Sequence, residues 1–228
     1  QLKKINAYGT KVNDEDQLSG LINLVDLNFY MSDVASISIV KNMTQLEVLN
    51  VYACSRLTDL SPMKGLKKLR KVNLYMSKAS DFSALNTLPA LEDLWIQQTN
   101  ITDLSFISNA ANMKYLKANN SKQLKDISAL AGKNKLEELY LGGTAISIIK
   151  SLTNLKSILR LKLNDLSQIK NWNALKTLTS LTVLDVRNSS FKKTKLLKNL
   201  EKLRDLDLGR SQVKSVSSFK NLKELSRL

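Results

Sequence analysis

The stretch LEELYLGGTAISIIKSLTNLKS, residues 136–157, carries the pattern from which the rest of the chain can be read. Its apolar positions are Leu136, Leu139, Leu141, Ile146, Ile149, Leu152 and Leu155. Leu139 and Leu141 sit on one side of a short strand, because alternate strand residues point to opposite faces. The remaining apolar residues belong to a return segment. The same pattern recurs in both directions along the chain. Aligned on the second apolar residue of each strand, the registers are Ala7, Phe29, Val51, Leu74, Ile96, Ala118, Leu141, Leu163, Val186 and Leu208. Their spacings are 22, 22, 23, 22, 22, 23, 22, 23 and 22 residues, so ten registers cover the 228-residue chain.

A unit of this length cannot bury its leucines alone. Stacked units share one continuous core and place their strands in a parallel sheet. The phrases LTDLSPM (57–63), ITDLSFI (101–107) and LKDISAL (124–130) mark the segments opposite the strands. On these residues the chain resembles a leucine-rich repeat protein, of the 22-residue subtype found in bacterial internalins and in a eukaryotic phosphatase regulator. The resemblance implies an α/β fold: a leucine-rich repeat solenoid curved as a horseshoe, with the parallel sheet on the concave face and short helical or 3-10 segments on the convex face. It departs from the family at the turn position usually held by Asn. That position is Thr10, Ser32, Cys54, Ser77, Thr99, Ser121, Thr144, Ser189 or Ser211, with Leu166 breaking the series. A small hydroxyl can still bond loop backbone from inside, and Cys54 is expected as a buried member of this ladder. Residues 1–228 read as a single domain of about ten repeats. Gln1 begins within a strand and LKELSRL (222–228) matches the opening of an eleventh unit. Neither end reads as a cap, so a segment of a longer protein is expected.

Composition removes several classes of chemistry. The chain has no His and one Cys. It therefore lacks a His general base, a Ser-His-Asp or Cys-His nucleophile pair, His metal ligands, an internal disulfide and a cysteine zinc cluster. No glycine-rich phosphate loop or dinucleotide motif is present, so no cofactor and no enzymatic activity are expected. No stretch approaches the ~18 uninterrupted apolar residues of a membrane helix, and QLKKINAYGT at the start lacks the apolar core of a signal peptide.

The residues that face outward from the strands form three lanes. The middle lane runs Asn6, Asn28, Asn50, Asn73, Trp95, Lys117, Tyr140, Lys162, Asp185 and Asp207. The third begins with Tyr8, Tyr30, Tyr52 and Tyr75 and continues through Gln97, Asn119, Gly142, Asn164, Arg187 and Gly209. All six tyrosines of the chain fall in the lanes, Tyr115 in the first and Tyr140 in the middle. Such ladders stabilise a sheet. Exposed Tyr and Trp are also enriched at binding hot spots. The expected contact residues are Tyr8, Tyr30, Tyr52, Tyr75 and Trp95 with Asn28, Asn50 and Asn73 beside them. Tyr115 and Tyr140 extend the aromatic surface. Arg160, Lys162 and Arg187 form a basic spot, and Asp185, Asp205 and Asp207 an acidic one. Gly142 leaves a shallow depression beside Tyr140.

The net charge of +15 is uneven. Residues 1–114 hold 12 Lys+Arg and 11 Asp+Glu, a difference of +1; residues 115–228 hold 23 and 9, a difference of +14. The lanes themselves hold as many cations as anions. The excess must lie on the convex side and edges of the C-terminal half, densest in FKKTKLLKNLEKLR at 191–204. A solvated face explains it, and contact with an anionic surface is the functional alternative. Nucleic acid is disfavoured, because the aromatics stand mainly away from the cations.

The reading is a protein-recognition module, a monomer, that binds a protein partner through its aromatic and amide-rich face. The internalin resemblance implies a bacterial secreted or cell-surface protein with a role in virulence. The phosphatase-regulator resemblance implies a cytoplasmic regulatory scaffold instead.

Overall fold

The computed structural model describes residues 2–11, 18 and 20–228. Gln1, expected to open within a strand, lies outside them. Ten three-residue strands recur along the chain: β1 Lys4–Asn6, β2 Asp26–Asn28, β3 Val48–Asn50, β4 Lys71–Asn73, β5 Asp93–Trp95, β6 Tyr115–Lys117, β7 Glu138–Tyr140, β8 Arg160–Lys162, β9 Val183–Asp185 and β10 Asp205–Asp207. The chain divides into two compact units. The first comprises Gln1–Ile101 with Ser105–Met113, the second Thr102–Leu104 with Lys114–Leu228. In the first unit β1 to β5 pair in chain order and parallel; in the second, β6 to β10 do the same. The register joins equivalent repeat positions, for example Asn28 to Asn50 and Asn50 to Asn73. At the chain end Arg227 bridges to Asp205, so the expected eleventh register begins to form.

Apolar spacing accounts for the core. In the 136–157 unit all seven apolar positions are buried. The central residue of every strand from Leu27 to Leu206 is fully buried against its counterparts in the neighbouring repeats. Opposite the strands the chain turns through short 3-10 segments such as Ser61–Met63, Ser83–Thr87, Ser128–Leu130 and Lys150–Leu152. The recurring Asp-x-Ser phrase has a local cause. Asp59 Oδ1 accepts from the Ser61 N–H at 2.8 Å, and Asp81 and Asp126 do the same for Ser83 and Ser128 at 2.7 Å. These donors hold the Asp59 and Asp81 carboxyls below the usual carboxylate range.

Each repeat leaves its strand through one left-handed residue. These are Gly9, Met31, Ala53, Met76, Gln98, Asn120, Gly143, Asp165, Asn188 and Arg210, with φ between 48° and 68°. Only two are glycine, although a side chain in this region is sterically penalised. The next residue is the turn position, a hydroxyl in every repeat but those of Cys54 and Leu166. Thr10, Thr99, Thr144 and Ser189 each donate to the carbonyl three residues back. Cys54 is buried as expected, its Sγ 3.0 Å from the Phe29 carbonyl and 3.7 Å from Ser32 Oγ. Burial pushes the thiol pKa up.

The longer spacings have one address. Most turn residues stand two positions before the next core side chain, as Ser32 does before Val34 and Thr144 before Ile146. Cys54 and Leu57, Ser121 and Leu124, and Leu166 and Ile169 stand three apart. The additional residue is taken up at this corner, and the strands keep their register.

Strain at the left-handed corner predicts that Ala53→Gly stabilises the fold. The relieved steric penalty of ~1–2 kcal/mol exceeds the added backbone entropy of ~0.5–1 kcal/mol. Urea unfolding of the two proteins should show a midpoint shift upward for the glycine variant.

Candidate functional site

The open sheet face of the first unit carries a continuous stack of tyrosines. Tyr8 and Tyr30 are tilted with centroids 5.1 Å apart. Tyr30 and Tyr52 are stacked at 4.4 Å and 17°, and Tyr52 and Tyr75 at 4.5 Å and 15°. Their spacing follows the ~4.8 Å distance between strands. Stacking covers the ring faces of the inner tyrosines, so they are half-buried and present ring edges and phenol oxygens outward. Tyr8, at the end of the stack, is 58% exposed. Desolvation and the adjoining Tyr52 phenol push the Tyr30 phenol pKa up.

The asparagine lane beside this stack does more than the sheet stabilisation expected of it: the sequence reading missed its bonds to the backbone. Asn6, Asn28, Asn50 and Asn73 each turn their Oδ1 onto the backbone N–H two residues on, that of Tyr8, Tyr30, Tyr52 and Tyr75, at 3.0–3.2 Å. Asn28 Nδ2 also donates to Asn6 Oδ1 at 2.9 Å. The recurring Asn-x-Tyr spacing is the signal of this local turn. Trp95 takes the next position in register with Asn73. Its Nε1 donates to Asp93 Oδ1 at 2.8 Å. Val48, Asn50, Lys71, Asn73, Asp93 and Trp95 line a shallow hollow of about 140 Å³. Strand alternation puts Gln97 on the open face, yet it is buried, and its Oε1 has no hydrogen-bond partner.

In the second unit the expected contact residues are drawn into polar contacts. Tyr115 donates its hydroxyl to Glu137 and Tyr140 its hydroxyl to Glu138, both at 3.1 Å. Lys117 and Lys162 lie over the Tyr140 ring, at 5.4 Å and 4.7 Å from its centroid, a cation–π arrangement. Desolvation and Glu138 push the Tyr140 phenol up. Arg160 pairs with Glu138 at 3.5 Å. Arg187 reaches Asp185 at 3.4 Å and Asp207 at 3.5 Å, and Arg227 reaches Asp205 at 3.5 Å. The expected basic and acidic spots thus meet at Arg187, which pairs with Asp185 and Asp207, while Arg160 turns to Glu138 and Lys162 to the Tyr140 ring. No depression lies at Gly142: the Asn164 carboxamide occupies the space a Cβ would take. Among the described residues no group of three or more His, Cys, Asp or Glu is arranged to hold a metal ion, and no helix is long and apolar enough to cross a membrane.

Solved structures share this arrangement of short parallel strands and 3-10 turns. Internalin C2 of Listeria monocytogenes superposes with a TM-score of 0.74 at 23% identity, over 83% of this chain and 81% of that one. The fold is that of a leucine-rich repeat solenoid. A second internalin of the same organism covers 99% of this chain and 86% of its own, at 20% identity and a TM-score of 0.65. A plant peptide hormone receptor, solved in complex with its peptide, has a TM-score of 0.77 at 20% identity; the match spans all of this chain and 38% of the receptor. No family model matches the sequence, and no curated protein matches it.

Substitutions at two positions test the roles assigned to the lanes. Asn50→Ala leaves the Tyr52 N–H without its acceptor and is expected to cost about 1 kcal/mol or more, with Asn50→Asp nearly neutral. Denaturant titration of the three proteins measures it. Asp185 is the second case. Burial, opposed by Arg187, raises its carboxyl pKa. The folded state therefore binds the proton more tightly than the unfolded chain. Its favourable contribution is complete below the ordinary carboxylate range and lost as pH rises through the raised value. Asp185→Asn should melt with the native protein at pH ~3 and above it at pH ~7, as read by thermal denaturation at both pH values.

Proposed function

We propose that this protein is a recognition module that binds a protein partner along the open sheet face of its first unit. The observation that carries the reading is the stack from Tyr8 to Tyr75, with its row of outward ring edges and phenol oxygens. Stacked rings are held rigid by one another, so little side-chain entropy remains to be lost on contact. Their edges and hydroxyls suit an extended polypeptide, which offers carbonyl acceptors and apolar side chains in alternation. The Trp95 hollow beside Asn50 and Asn73 receives one side chain of that partner. A structurally similar receptor was solved with a bound peptide, and that supports a peptide-like ligand here. The likeness to internalin structures supports a secreted or cell-surface location and a bacterial role in host contact.

Affinity capture tests this. The native protein and the variant Tyr30→Ala/Tyr52→Ala/Tyr75→Ala, its fold verified by circular dichroism, are exposed to host-cell surface extract and to lysate of the producing cell. A protein retained by the native chain and lost by the variant is expected from the host extract. Retention from the producer's lysate alone selects the cytoplasmic scaffold. Equal retention by both proteins returns the tyrosines to sheet stabilisation.

A further inference from the structure

The second unit carries a concavity of about 1040 Å³ on its turn-bearing side, away from the sheet face. It is walled by the segments around Lys150–Leu152 and Asn173–Thr177 and by Ser190, Lys192 and Gln212. Four successive repeats contribute to it. Its frame is fixed. Ile148 bridges to Asn171, the Asn154 N–H donates to Thr177 Oγ1 at 2.9 Å, and Trp172 packs edge-on to Phe191 at 5.4 Å while its Nε1 donates to Ser190 Oγ.

The lining chemistry is one-sided. Lys150, Lys170, Lys176 and Lys192 line the groove, and no carboxylate, arginine or aromatic ring does. Among the described residues none of the four lysines makes an ion pair. Between them stand exposed hydrogen-bonding side chains, among them Ser147, Thr153, Ser167, Gln168, Asn173 and Gln212. Ile148, 70% accessible, is the exposed apolar side chain of the lining, which Ile149, Ile169, Ala174 and the lysine stems also contribute to.

We propose that this groove binds an anionic polysaccharide, a chain of sugars carrying sulfate, uronate or phosphate groups. Each feature of the lining narrows the class. A concavity of this size stands at the upper end of small-ligand sites, and its spread over four repeats suits an elongated ligand. A flat membrane surface does not enter it. Single-stranded nucleic acid would need aromatic or guanidinium platforms for its bases, and the lining has neither. An acidic peptide would meet the same lysines, but it lacks the hydroxyls that use the polar side chains between them, and polyglutamate in the test separates the two. A polymer rich in hydroxyls uses the free amide and hydroxyl side chains, and its charges meet lysines as flexible point charges without directional demand. The lysines recur from one repeat to the next, so successive charged sugars along a chain find successive cations. The groove shares no residue with the tyrosine face, and its occupancy is independent of the proposed function.

The test uses the full chain and fluorescence anisotropy at physiological ionic strength. The probes are a sulfated glycosaminoglycan oligomer, a polyuronate oligomer, a glycerol-phosphate polymer, neutral dextran and polyglutamate. At least one anionic polysaccharide is expected to bind in a salt-dependent manner, with dextran silent; the tightest of the anionic probes identifies the charged group. K150Q/K170Q/K176Q/K192Q should weaken binding about tenfold or more, because four cations that face the polymer are neutralised together. The control K198Q/K202Q/K214Q/K220Q removes equal charge outside the groove and should stay within about threefold. Equal weakening by both variants would make the attraction a property of net charge and overturn the site. Tighter binding of polyglutamate than of any sugar, or no binding at all, would overturn the ligand class.

Discussion

Every feature of this molecule depends on burial that no repeat can achieve by itself. A three-residue strand and a single 3-10 turn enclose too little apolar surface to remain folded in water. Leu139 and Leu141 are removed from solvent only because Leu116 and Ala118 lie on one side and Leu161 and Leu163 on the other. The demand for identical apolar positions in each copy sets the period, and the period fixes what stands on the outside. Any side chain that repeats at one position becomes a straight row at the spacing between strands.

The tyrosine and asparagine rows show how that geometry links stability to recognition. A tyrosine at the third lane stacks on its copies whatever else it does. An asparagine two residues earlier holds the tyrosine backbone through its carboxamide. The two residue types therefore recur together. Where the asparagine gives way to Trp95, the ladder stops and Gln97, at the tyrosine position, is buried. In the second unit the asparagine lane carries charge at Lys117, Lys162, Asp185 and Asp207, and Arg187 is held between Asp185 and Asp207.

Most of the fold could be read in advance because the apolar period is long, regular and local. Ten strands, their register and the buried Cys54 all follow from counting residues. The parts that escaped counting depend on contacts between lanes. Gly142 read as a gap because the sequence does not show Asn164 folding over it. The basic and acidic spots read as separate because a lane follows one position along the repeats, whereas ion pairs form across lanes. The lysine groove was visible only as surplus charge in residues 115–228. Its position depends on how turns of different length, three residues at Lys150–Leu152 and five at Asn173–Thr177, leave space beside one another.

The corner after the left-handed residue, where repeats differ by one position, has a consequence for how such a chain changes over generations. A single codon gained or lost within a strand would invert inside and outside for the residues beyond it. The same event between the turn residue and the next core side chain, as at Cys54–Leu57, leaves every row on its own face. Genetic slippage is thus harmless at one address per coil and ruinous at another. Repeats of unequal length can be duplicated, exchanged or labelled at that address while the binding rows keep their order.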